Sequence, residues 1–296
     1  MSTEAIELPS FAKVNLVLRV LGKRQDGFHE VFTVLQTVSL RDRLRFERST
    51  NGIVLTCDDP TIPLGDRNII VRAAEKLHSR FGVNAGATID LEKRIPSPGG
   101  LGGGSSNAAV TLLTLNHLWQ TGATIDELSE IAAELGSDVP FFLHGGTGIG
   151  TGTGSNIEPI DDVSSPAMII VTPDVNIPTA TAYSRLAAPT LTNIELESTL
   201  TNYRSGVDSG IEPVNDLEKT VFAAFPEIGR VKNTLIDLGA DQALMSGSGA
   251  SVFGIFDNEE TRQTAVKALG ERSNWRSFAV AAISRSDYRE ALAKVY

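Results

Sequence analysis

Cysteine is almost missing: Cys57 stands alone among 296 residues. One thiol can form no intrachain disulfide, thiolate zinc centre or haem-attachment motif. The four histidines, His29, His78, His117 and His144, show no HExxH or other metal-ligand spacing. No apolar run approaches the roughly 18 residues of a membrane span. The opening MSTEAIELPS carries acids instead of a basic segment followed by an apolar stretch, so it does not read as a signal peptide. A cytoplasmic protein is the expectation. Cations are scarce too, with a formal net charge of -10. An acidic surface repels nucleic acid and anionic membrane, and neither is expected as a partner.

The shortage of cations is local. Residues 101–200 hold one Lys/Arg against 11 Asp/Glu, whereas residues 1–100 hold 14 against 12. Hydrophobic residues at 41% and charged residues at 21% exclude global disorder. The length suits two domains, or one large one. Glycine is in excess at 27 residues, with 11 of them in the windows 99–104 and 145–154.

From Phe11 to Leu21, Val14, Leu16, Leu18 and Val20 alternate with Lys13, Asn15, Val17 and Arg19, the period of a half-buried strand. Lys13 and Asn15 then share the face opposite the apolar one. Asp26-Gly27 marks a turn, followed by an extended run over 31–46. Residues 68–81 read as a helix and Ala87, Ile89 and Leu91 as a strand that ends at Pro96-Ser97-Pro98. The next helix carries Ala108, Leu112, Leu115 and Trp119 as its buried stripe. Thr124 with Glu127 is a capping-box signature, and Gly136 ends that helix. Residues 168–171 and 252–256 read as strands and 220–238 as a helix. Residues 189–213 suit a long loop or weak helix. Strands and helices mix without strict βαβ alternation, which argues for α+β.

The segment PGGLGGGSSN (98–107) carries the most chemistry. Glycines allow positive φ and close backbone approach. Just before a helix, such a loop aims unpaired N–H groups at one point, where the helix dipole adds positive charge, and the expected guest is a phosphate. Ser105 and Ser106 can cap the helix or reach phosphate oxygens or Mg²⁺, with Ser106 the candidate metal ligand. A flexible linker before a capped helix is the plainer reading, but it does not suit a loop running from a strand into an amphipathic helix. GxxxxGK[ST], GxGxxG and GxSxG all fail here. The loop has no lysine of its own, so cationic help must come from elsewhere.

The loop resembles the phosphate-binding motif of the GHMP kinase superfamily. SFAKVNLVLRV (10–20), DGFHEV (26–31), IPSPGGLGGGSSNAA (95–109), ELGSDVPFFL (134–143) and SGSGASVFGIF (246–256) follow in family order. They narrow the resemblance to the branch that uses ATP to phosphorylate the 2-hydroxyl of 4-diphosphocytidyl-2-C-methyl-D-erythritol, in non-mevalonate isoprenoid biosynthesis. The resemblance implies a two-domain α+β fold, with a nucleotide-binding unit over 1–158, a substrate-side unit over 159–296 and the active site in the cleft between them. It implies ATP and Mg²⁺ as cofactors and a small cytidine diphosphate substrate as partner, in a monomer or homodimer.

By the same resemblance Lys13 and Asp138 are catalytic. Pro98, Gly99, Gly100, Leu101, Gly102, Gly103, Gly104, Ser105, Ser106 and Asn107 hold the nucleotide. Asn15, Phe28, His29, Lys93, Tyr183, Ser246 and Gly247 contact the substrate. A carboxylate can accept the proton of an attacking alcohol, and an ammonium beside it lowers the cost of the developing alkoxide. Read without the family, Asp138 suits a helix cap, Lys13 a solvated strand face, His29 a turn and Tyr183 surface packing. Phe28 stands where tyrosine is commoner and keeps a stacking face without the hydroxyl. Phe11 replaces a frequent proline. Pro98 replaces glycine or alanine and removes one N–H. The 145–154 run suits either a cover over the phosphates or a connector. A kinase for another small alcohol and a non-catalytic nucleotide-binding protein are the alternatives.

Overall fold

Two long antiparallel strands open the chain, β1 (Ile6–Lys23) and β2 (His29–Ser49), joined through the Asp26-Gly27 turn. The computed structural model describes residues 5–50, 52–163, 167–184, 186, 193–208, 210–270 and 274–296. β3 (Ile53–Cys57), α1 (Ile69–Phe81), β4 (Gly86–Glu92), α2 (Gly103–Trp119) and α3 (Ile125–Leu135) follow. A 3-10 turn over Pro140–Leu143 leads into β5 (Thr147–Thr151) and β6 (Asn156–Ile160). The later elements are β7 (Ala167–Pro173), α4 (Thr179–Ser184), α5 (Asn193–Asp208), β8 (Val214–Asn215), α6 (Glu218–Ala224), α7 (Pro226–Asp237), β9 (Gln242–Met245), β10 (Val252–Phe256), α8 (Glu259–Gly270), β11 (Trp275–Val280) and α9 (Arg285–Ala291).

The architecture is α+β with two sheets. The first has the order β3-β4-β2-β1-β8, and β5, carrying β6, pairs with the early part of β2. The second has the order β11-β7-β10-β9. Helices α1, α2 and α3 cover the first sheet, and α6, α7 and α8 cover the second. A third cluster joins Ala12, Val14, Phe32 and Val34 of the first sheet to Met168, Ile170 and Phe253 of the second. β7 serves two cores by alternation: Ile169 and Val171 face the helices, while Met168 and Ile170 face β1 and β2.

That sandwich corrects the half-buried reading of β1. The strand is buried on both faces, and Lys13 and Asn15 are only 2% and 4% exposed. The expected one-sided stripe of α2 is corrected likewise. Ser106 through Leu115 are all buried, because α2 lies between the sheet and helices α1 and α3. Asn68 caps α1 by accepting from the Ile70 N–H, and the Thr124–Glu127 capping box is present at α3. The expected helix over 220–238 is two helices. Pro226 supplies no N–H and turns Phe225 out of the helical region, to φ -132°, ψ 75°. Of the stretch 189–213, residues 193–208 form α5, and 189–192 and 209 lie outside the described residues.

The sheet changes between Ile160 and Ala167, just past the expected 158/159 division, and two later segments cross back. β8 joins the first sheet beside β1. The C-terminal segment packs on the first core, where the buried Tyr288 hydroxyl donates to Phe142 O (2.6 Å) and Tyr296 to Leu143 O (2.7 Å). No helix among the described residues is long and apolar enough to cross a membrane.

Candidate active site

β4 runs out through Lys93–Ile95 into the glycine loop. Gly100 (φ 71°) and Gly102 (φ 69°) take the left-handed conformation that L side chains resist. Gly102 caps α2 with no side-chain bond, and the first turn holds no acid. The first helical N–H with a partner is that of Ser106, which donates to Gly102 O. The N–H groups of Gly103, Gly104 and Ser105 therefore stand open at the positive end of a 17-residue helix. The β9–β10 turn clamps this loop. Ser246 Oγ donates to Gly100 O (2.9 Å) and Ser251 N to Gly99 O (3.1 Å).

The same loop holds Lys13. Its N–H donates to Leu101 O (3.0 Å), and Nζ donates to Gly100 O (3.0 Å) and Asn15 Oδ1 (2.6 Å). Asn15 is fixed in turn by Nδ2 donating to Thr33 Oγ1 (2.8 Å). Asp138 Oδ2 lies 3.3 Å from Lys13 Nζ. Asp138 occupies the turn between α3 and the 3-10 turn, whose cap residue, Val139, makes no side-chain bond. Its carboxylate points at Lys13, with 35% of the side chain exposed to the cleft. The buried ammonium and the partly open carboxylate thus sit directly beside the glycine loop.

The cleft, about 740 Å³, is lined by Lys13, Asn15, Phe28, His29, Pro98, Gly100, Gly102, Ser105, Asp138, Tyr183 and Gly247. At one wall the His29 and Tyr183 rings meet with centroids 5.2 Å apart and planes 32° apart. Burial and the nearby Lys23 charge lower the His29 pKa, which favours the neutral imidazole, able both to donate and to accept. Burial, with the Asp138 charge, pushes Tyr183 up to about 12, so its phenol stays protonated. Phe28, at the tip of the β1–β2 hairpin, is 64% exposed.

Other candidates are not brought to that surface. The Lys93 side chain is buried and paired with Asp42 (2.8 Å), which also accepts from the Arg94 and Ile95 N–H groups. It supports the loop from beneath, against Gly103, and lines no wall of the cleft. Ser106 and Asn107 are buried, and Ser10 Oγ lies 2.7 Å from a polar atom of each. Ser106 is thus turned inward, because residues one apart on a helix face different ways, and Ser105 takes the cleft side instead. Leu101 and Ser246 are buried. The role of Ser246 here is the bond to Gly100.

Thr33, Ser137, Thr153, Gly154, Thr179 and Ser248 also line the cleft and were not singled out from sequence. Ser248 lies inside the SGSGAS block. Thr33 and Thr153 come from β2 and the β5–β6 turn, and no local pattern marks either. The 145–154 run is chiefly a packing device. A Cβ on Gly145 would meet the Tyr288 ring at 2.3 Å, and one on Gly150 would meet Thr33 at 2.9 Å. Only its tip reaches the cleft.

Among the described residues no group of three or more His, Cys, Asp or Glu is able to hold a metal, and Asp138 is the only one of their carboxylates that lines the cleft. This donor set builds no cation cage of its own. It fits a Mg²⁺ that arrives on nucleotide phosphates and keeps most of its ligands from phosphate and water.

Residues 68–146 match the GHMP kinases N terminal domain and residues 202–274 the GHMP kinases C terminal domain. A 4-diphosphocytidyl-2-C-methyl-D-erythritol kinase of Syntrophotalea carbinolica is 40% identical over 91% of this chain and 96% of its own. One of Syntrophus aciditrophicus is 41% identical over 94% and 99%. Among solved structures, a 4-(cytidine 5'-diphospho)-2C-methyl-D-erythritol kinase superimposes with a TM-score of 0.77 at 35% identity, over 94% of this chain and 99% of that one. A homoserine kinase from Cytophaga hutchinsonii, at 20% identity and a TM-score of 0.69, shares the fold. With relatives of that identity aligned along nearly its whole length, and with the glycine loop, lysine and aspartate gathered in one cleft, the chain belongs to the 4-diphosphocytidyl-2-C-methyl-D-erythritol kinase family of GHMP kinases.

Proposed function

We propose that this chain transfers the γ-phosphoryl group of ATP to the 2-hydroxyl of 4-diphosphocytidyl-2-C-methyl-D-erythritol, giving the 2-phosphate and ADP, a step of non-mevalonate isoprenoid biosynthesis in the cytoplasm. The observation that carries the reading is the Lys13–Asp138 pair, 3.3 Å apart, between a phosphate-binding helix terminus and the His29–Tyr183 wall.

The open N–H groups of Gly103, Gly104 and Ser105 hold the ATP phosphates. Asp138 accepts, or directs, the proton of the attacking hydroxyl. Lys13 stays beside it because Asn15 and Gly100 O hold its ammonium, and it offsets charge on the alkoxide and the phosphoryl oxygens. When bound, Mg²⁺ would neutralise phosphate charge, with Ser105 the lining side chain that would hold it. The rest is positioning, since phosphoryl transfer asks little covalent chemistry of the protein. The wall of His29, Tyr183 and Phe28 takes the cytosine: rings offer stacking surface, and the imidazole offers a hydrogen bond.

The purified chain, given ATP and Mg²⁺, should phosphorylate the cytidyl substrate and leave mevalonate and homoserine unchanged. Turnover on either of those with none on the cytidyl substrate would sink the assignment. In the same assay His29→Ala should raise KM for the cytidyl substrate about tenfold, the worth of one lost contact, and leave KM for ATP alone. A change confined to ATP would contradict the placement of the base.

A further inference from the structure

Asn215 does not line the cleft, yet it is tied to it. β8 is two residues long and pairs in parallel with β1 at Val17 and Leu18. This puts the buried Asn215 between the strand that carries Lys13 and Asn15 and the turn that joins β9 to β10. Its carboxamide Nδ2 donates to Met245 O (2.7 Å) and Gly247 O (2.8 Å), and Oδ1 accepts from Leu217 N (2.9 Å). Both amide hydrogens are used inside the protein.

The neighbouring residues fasten the same joint. Asp216 accepts from Val20 N (2.9 Å) and pairs with Arg19 (2.9 Å), which anchors the segment to β1. Glu218 accepts from Met245 N (2.8 Å), which anchors it to β9.

Gly247, at φ 58°, sits close to both the glycine loop and Lys13. A Cβ there would lie 3.4 Å from both Lys13 Nζ and Asn15 Oδ1 and 3.3 Å from Gly100 O. The Gly247–Ser248 peptide is trans, so its C=O and N–H point opposite ways. With the carbonyl drawn to Asn215, the Ser248 N–H is turned away from it. Neither that N–H nor that of Gly247 has a partner among the described residues. Gly247, Ser248 and Gly249 all line the cleft.

We propose that Asn215 is a positioning residue: its carboxamide grips the Met245 and Gly247 carbonyls and so sets the Gly247–Ser248 peptide to offer N–H to an anionic group beside Lys13. Resting on the phosphoryl-transfer reading, the proposal is tested with substitutions at Asn215 assayed beside the wild type. Asn215→Asp keeps the shape and the acceptor for Leu217 but sets a carboxylate against two carbonyl oxygens. It should lower kcat about 30-fold or more while the Kd for ATP stays within about threefold. As pH falls from about 8 to about 5.5, more of the introduced carboxyl is protonated and regains one donor, so the variant-to-wild-type ratio of kcat should rise. Asn215→Ala has no donor at any pH, so its ratio should stay flat.

A folded Asn215→Asp chain with kcat within about threefold of wild type overturns the proposal, as do equally flat ratios for the two variants. If Asn215→Asp does not fold, Asn215→Ala, which removes both donors without adding charge, must by itself show the loss of kcat at unchanged ATP affinity. Equal losses in kcat and ATP affinity would overturn the positioning role. A wild-type chain that phosphorylates no alcohol sinks the kinase reading itself, whereas an active wild type with unaffected variants sinks only the role of Asn215.

Discussion

Asp138→Asn should cost kcat about two to four decades, the usual worth of a positioned general base, and leave ATP binding near the wild-type level. The substitution is nearly isosteric. The amide can still lie near Lys13 Nζ, 3.3 Å away in the wild type, but it can neither accept the hydroxyl proton nor offer a full charge. The glycine loop does not depend on Asp138: its contacts run to Ser246, Ser251 and Lys13. Single-turnover kinetics beside ATP titration separates the two effects. Near-normal turnover would refute the base role, and a parallel collapse of ATP affinity would show that Asp138 serves the nucleotide instead. The exposed third of the carboxylate faces the cleft, where the substrate hydroxyl must arrive, so the loss should appear in the chemical step.

Gly100→Ala should be the most damaging change in the loop, raising the Kd for ATP about 100-fold or more and lowering the melting temperature. Two costs add. At φ 71° an L side chain is strained by roughly 1–2 kcal/mol. The new Cβ would also lie 2.2 Å from Ser246 O and 3.0 Å from Gly249 O, both backbone atoms with no rotamer to yield. Relief requires the two loops to part, which breaks the Ser246–Gly100 and Ser251–Gly99 bonds and releases Lys13 from Gly100 O. A control at Gly206 isolates the position. That glycine lies in α5 with nothing within 4 Å of an added Cβ, so Gly206→Ala should leave ATP binding unchanged and stabilise the helix by up to about 1 kcal/mol. Calorimetric titration with ATP and a thermal melt read both outcomes, and ATP affinity in Gly100→Ala within a few-fold of wild type would refute the clamp.

Some of the site was legible locally. Lys13 and Asn15, two apart on a strand, share a face by period alone, and both line the cleft. The glycine loop before α2 announced its open N–H groups, because neither Gly102 nor the first turn supplies a side chain to satisfy them. Other candidates could not be sorted in this way. Ser105 and Ser106 are equivalent as letters, and helix phase sends one to the cleft and the other to Ser10. Lys93 matched a substrate lysine, but Asp42, 51 residues earlier, takes its charge. Ser246 matched a substrate contact, but it bonds the loop carbonyl across 146 residues.

By itself the sequence determined the α+β class, the capped helices, the open helix terminus and the shortage of cations near the glycine loop, since these follow from composition and neighbours a few residues apart. Tertiary structure decided which side chains face the cleft. It brought Lys13, on a strand buried on both faces, to Asp138 in the turn after α3 and set the His29 ring against that of Tyr183. It also bound the turn at Gly247 to the loop at Gly100 through contacts 146 residues apart. A carboxylate's role depends on what lies within a few ångströms of it, and in a chain buried on both sides of its central strands those neighbours come from remote parts of the sequence.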